Sequence, residues 1–151
     1  MKNGILLMLL FLLHCKEPRD CANAELLGEL KVCGFDKVNK KNTKFFRIEA
    51  EENSLKSIQI DKIITSNNDE YQIKESVETT IYLKESLFSR EMYRLVVNDT
   101  VYDITDIQIQ PKTIMMGTRL DSICFVSSLK INGKEASIIY KDIALTFYKP
   151  I

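Results

Sequence analysis

The most reactive side chains in this sequence are four cysteines, Cys15, Cys21, Cys33 and Cys124, and a close trio of carboxylates, Glu49, Glu51 and Glu52. Thiolates can attack, ligate metals or close disulfides, and paired carboxylates can divide acid and base roles, as in glycoside cleavage. Each chemistry needs companions. The single histidine, His14, falls in the N-terminal leader, and removal of that leader would leave nothing to complete a Ser-His-Asp or Cys-His arrangement or supply an imidazole ligand. No C-x-x-C spacing accompanies the cysteines, which argues against zinc. Five glycines form no phosphate-cradling loop, and no calcium-loop pattern occurs. The three glutamates fit a solvated strand end and turn. The residues thus predict no enzyme, no metal and no cofactor.

The N-terminus explains part of the cysteine inventory. Met1-Lys2-Asn3-Gly4 precedes an apolar run from Ile5 to Leu13, a positive start and greasy core of the signal-peptide kind. The run is too short to span a bilayer, which takes about 20 residues. Leu12-Leu13-His14-Cys15 resembles the lipobox of bacterial lipoproteins, where cleavage precedes a lipid-modified Cys. His14 stands where that pattern has a small residue. The resemblance implies a signal over residues 1–14, lipidation of Cys15, a tether over 15–24 and a single domain over 25–151. The competing site is Ala22-Asn23-Ala24, where cleavage would release a soluble periplasmic or secreted protein.

Export into an oxidising compartment predicts that cysteines pair. Cys33 follows Leu26, Leu27, Leu30 and Val32, and Cys124 sits within Ile123-Cys124-Phe125-Val126. Both look embedded, and a Cys33–Cys124 disulfide is expected. It would close a loop of about 90 residues, worth roughly 4–5 kcal/mol in loop entropy. Cys21 then has no partner if Cys15 is acylated, whereas cleavage after Ala24 leaves one tidy pair.

The elements that must position these groups are strands. From residue 44 onward, alternation with period two dominates: Phe45 to Ala50, Leu55 to Ile64, Tyr71 and Ile73, Thr79 to Leu83, Met92 to Val97, and Val101 to Gln110. Ile123 to Ile131 follows, then Asn132-Gly133, which supplies the two positive φ angles of a type I′ hairpin, then Glu135 to Tyr140. Ile143, Leu145 and Phe147 make a last strand. Residues 24–32 fit either a short helix or a first strand. Turn signals roughly every ten residues predict an all-β antiparallel β-sandwich, immunoglobulin-like in outline, of about eight or nine strands.

Two surface segments stand out. Lys37, Lys40, Lys41, Lys44 and Arg47 form a local basic run, diluted by the acids from Glu49 onward. Pro111 and Gly117 bracket Ile114, Met115 and Met116, with Arg119 just beyond. Adaptable methionines in an exposed loop would suit a partner; one more strand with Ile114 and Met116 inward is the alternative. Cations and anions balance at 21 each, so no field draws nucleic acid.

On the Cys15 leader, the early Cys33 and the compact β body, the chain resembles small periplasmic lipoproteins thought to act as immunity proteins against type VI secretion effectors. That resemblance implies a protein partner, a toxin blocked by surface fit, and membrane contact through the N-terminal lipid. The alternative is an accessory lipoprotein of an envelope assembly, such as a secretion, conjugation or exclusion system.

Overall fold

A computed structural model describes residues 21, 24–35, 37–51, 54–67, 77–139 and 143–150. The leader, Cys15, the segment at Tyr71 and Ile73, and Tyr140 lie outside these residues. The described chain forms twelve strands: β1 (Glu25–Leu26), β2 (Glu29–Cys33), β3 (Thr43–Glu49), β4 (Ser54–Ile58), β5 (Ile60–Asn67), β6 (Val77–Leu83), β7 (Leu87–Phe88), β8 (Met92–Val97), β9 (Thr100–Met116), β10 (Arg119–Ile131), β11 (Lys134–Glu135) and β12 (Leu145–Tyr148). They build a six-stranded sheet in the order β11-β10-β9-β8-β3-β4, a four-stranded sheet β12-β2-β6-β5, and a short β1-β7 pair. The all-β sandwich expected from the alternation is present. All pairings are antiparallel except one, β12 with β2.

One apolar core joins the two sheets. Leu30, Val32, Ile81, Leu83 and Phe147 from the smaller sheet meet Phe45, Tyr93, Leu95, Tyr102 and Ile104 from the larger. Phe35, on the loop after β2, bridges them edge-on, 5.0 Å from Tyr102 and 6.1 Å from Phe147 between ring centroids. The core is a single layer between sheets, as alternate inward side chains require.

Local sequence explains the deviations from expectation. Residues 24–32 are two strands and no helix. Gly28 separates them, and its carbonyl accepts the Leu83 N–H at 2.7 Å. The single strand read over Leu55 to Ile64 divides at Gln59, because β4 belongs to one sheet and β5 to the other. Ile58 and Ile60 stay buried on either side of that crossing. Asn132 (φ 51°) and Gly133 (φ 79°) form the expected tight turn, with Ile131 opposite Lys134. Asn98 (φ 50°) and Asp99 (φ 63°) make a second one between β8 and β9. The return strand after Gly133 is shorter than expected, pairing only at Lys134 and Glu135.

The disulfide expectation is corrected. Cys124 bonds to Cys21 across a sequence separation of 103, and Cys33 is a buried free thiol. The reason is strand alternation: Leu30 and Val32 face the core, and Cys33 has the opposite parity. It therefore lies, still buried, on the side of β2 opposite Leu30 and Val32, while Cys124 shares its side of β10 with buried Val126. Burial beside Leu30 in sequence did not mean burial in the same space. Cys21 is itself buried, and the Ala24 carbonyl accepts the Ser89 N–H. The folded body thus includes residues placed in the tether.

Candidate functional site

Two surfaces carry apolar side chains that the core does not use. The first is the outward face of the six-stranded sheet. Opposite the core-facing Phe45, Tyr93, Leu95 and Tyr102, register aligns Leu55 with Ile48 and Ile48 with Met92. The next row runs Ser57, Phe46, Arg94 and Asp103, and a third runs Lys44, Val96 and Val101. Leu55 is 43% exposed and Val101 42%, with Phe46, Ile48, Met92 and Val96 half-buried. In the middle, Arg94 donates through Nε (2.6 Å) and a terminal nitrogen (2.9 Å) to both Asp103 oxygens. This two-pronged bond raises the Arg94 pKa and leaves the strip with no unmatched charge at its centre. Alternation puts Phe46 and Ile48 together on one side of β3. The structure makes that side the solvent face, because Phe45 and not Phe46 occupies the core.

The second surface is an arm. β9 pairs with β8 only through Thr100–Ile104, yet continues with β10 to a turn at Gly117 and Thr118. Among the described residues, β9 beyond that point has β10 as its one partner. A register shift where Asp106 takes φ 50° bends the ladder at the arm's root, and Lys130 reaches back to Asp106 at 2.8 Å. Pro111 fits a strand with an open edge, where no ladder N–H is missed. The disulfide to Cys21 joins β10 opposite Pro111.

The residues expected to meet a partner lie on this arm, but not on one face. Met115 stands opposite Leu120, on the side that lower down faces the core; Met116 and Ile114 occupy the reverse side. Arg119 pairs with Met116 through the backbone. The segment is a strand, as the alternative reading had it, but its side chains do not turn inward. Met115 is 76% exposed, Leu120 68% and Met116 60%, the highest values among the exposed large apolar residues. Leu120 carried no signal in the sequence beyond its neighbours.

Lys37, Lys40, Lys41 and Lys44 are solvent-exposed around the loop that enters β3. Arg47 leaves that run: its Nε lies 2.9 Å from Glu91 and its terminal nitrogen 3.6 Å from Glu85. Glu91 also accepts the Tyr93 hydroxyl at 2.8 Å, and burial pushes the Tyr93 phenol well above its ordinary value. Glu49 accepts the Ser54 hydroxyl across the β3-β4 turn, Glu51 is exposed in that turn, and Glu52 lies outside the described residues. The Cys33 thiol is raised to about 11, first by burial and then by the charge of Glu78. A groove lined by Ile131, Lys134, Glu135, Ser137 and Tyr148 opens beside the β10-β11 turn. No group of three or more potential metal ligands occurs among the described residues.

No protein-family model matches this chain, and neither a curated protein nor a solved structure matches it.

Proposed function

We propose that this is an exported binding protein of the bacterial envelope, held to a membrane by lipid on Cys15, that neutralises a secreted antibacterial effector by surface fit. The observation that carries the reading is the Cys21–Cys124 disulfide. A disulfide of this kind belongs to an oxidising compartment, which supports export. Its position also weighs between the two cleavage sites. Cleavage after Ala24 would remove Cys21 and leave the buried Cys124 without its partner, whereas cleavage before Cys15 keeps the pair. Radioactive palmitate should label the wild-type protein and leave Cys15→Ala unlabelled; equal labelling, or none, refutes the anchor.

The outward strip of the six-stranded sheet supports the binding role. It sets apolar side chains around a self-neutralised ion pair, which leaves few charges to desolvate on binding. Immobilised protein should retain an effector from the secreted proteins of the producing strain, and co-expression should protect cells from that effector. Leu55→Asp with Val101→Asp should abolish protection by at least about 2 kcal/mol of lost binding, since a new charge must then be desolvated at two opposite corners of the strip. Both positions are exposed, so the fold should tolerate the change. Capture of an envelope-assembly component in place of an effector would favour the accessory role.

A further inference from the structure

We propose that the tip of the β9-β10 arm is a second membrane contact, in which Met115, Met116 and Leu120 enter the interfacial layer of the bilayer that holds the Cys15 lipid. The proposal rests on the lipid-anchor reading and adds a surface to it.

Two observations lead there. The first is that the apolar tip is two-sided: Met115 and Leu120 project from one face, Met116 from the other, and all three are mostly exposed. A flat protein surface can cover only one face of a two-stranded ribbon. Covering both takes a deep cleft or a fluid medium. The second observation selects the medium. The disulfide fixes Cys21 to Cys124 about halfway along the arm, opposite Pro111, and only five residues separate Cys15 from Cys21. Fully extended, that connection reaches about 20 Å. From Cys124 to the turn at Gly117 the strand covers about 20 Å as well. The anchor therefore holds that point of the arm within about the arm's remaining length of the membrane, and among the described residues the tip is the exposed apolar feature that reaches across the gap.

Charge agrees. From Gln110 to Asp121 the arm carries two cations, Lys112 and Arg119, against one anion, Asp121, a balance suited to anionic headgroups. With the tip in lipid, the outward strip of the six-stranded sheet stays free for a protein.

The chain contains no tryptophan, so a single Met116→Trp reports alone. Membrane-extracted, palmitate-labelled protein would be reconstituted into phosphatidylethanolamine/phosphatidylglycerol vesicles, with and without brominated acyl chains. We expect blue-shifted emission and strong bromine quenching for Trp at 116, with neither for a Leu55→Trp control three strands away. Labelled protein whose Trp at 116 stays as unquenched as the control overturns the proposal and leaves the anchor standing. So does a probe shielded only when the captured effector is added, which would place the tip in a protein cleft. Should no palmitate be incorporated, the anchor falls, and the same quenching measured at millimolar lipid decides whether the tip meets bilayers unaided: quenching supports the contact and its absence refutes it.

Discussion

Gly28 lies where two backbones come so close that a Cβ would stand 2.6 Å from the Glu85 carbonyl oxygen. The obstacle is main chain, which cannot swing aside. Gly28→Ala should therefore cost about 1–3 kcal/mol, read from the urea midpoint, with an unchanged slope. Cys33 makes a different residue-scale test. Its ordinary value of 9.0 rises to about 11 in the folded protein, because burial penalises the thiolate. A group whose folded value is raised favours the folded state below the unfolded value, and that contribution is lost as pH climbs between about 9 and 11. In the folded protein, alkylation of Cys33 should keep accelerating up to about pH 11; in urea it should level off near pH 9. Coincident profiles would mean that the thiol is solvated. Little of this was visible in sequence: the cysteine's type was plain, but its side of the strand depended on where β2 took its register.

At the scale of elements, the arm and its disulfide make opposite demands. The arm's outer half contributes little to the core, since its side chains are exposed on both faces. Replacing residues 113–122 with Asn-Gly, joining Lys112 to Ile123 through a type I′ turn, should leave stability within about 1 kcal/mol. A cooperative loss of fold on this excision would show that the arm braces the sandwich. The disulfide should behave otherwise. It closes a loop of separation 103, and losing such a constraint costs about 4–5 kcal/mol through the unfolded chain's entropy. Urea unfolding of a Cys33→Ala background, with and without reductant, would measure it free of thiol exchange. Equal midpoints would mean that the bond adds nothing. Alternation revealed the strand of the arm as far as Gln110. Its extension to Met116 was hidden because Pro111 and Gly117 read as loop boundaries, although an open-edged strand accommodates the first and a tight turn uses the second.

For the whole molecule, a six-stranded and a four-stranded sheet share one core, closed by a covalent link from the N-terminal segment to the larger sheet. Such a body leaves its larger outer face and its arm for other uses. If the strip on that face binds a protein and the arm meets lipid, the Leu55→Asp, Val101→Asp protein should lose its effector while retaining bromine quenching at residue 116. Loss of both together would indicate a general disturbance of the fold.

The sequence by itself determined the all-β class, most strand positions and the Asn132-Gly133 turn, because alternation and turn chemistry are local properties. Only the tertiary structure decided that Cys21 and not Cys33 meets Cys124, that Phe46 and Ile48 face solvent, that β12 runs parallel to β2, and that Met115 and Met116 lie on opposite faces of a projecting arm. Each of these depends on which strands become neighbours and in what register, and a one-residue difference in register exchanges the two faces of a strand.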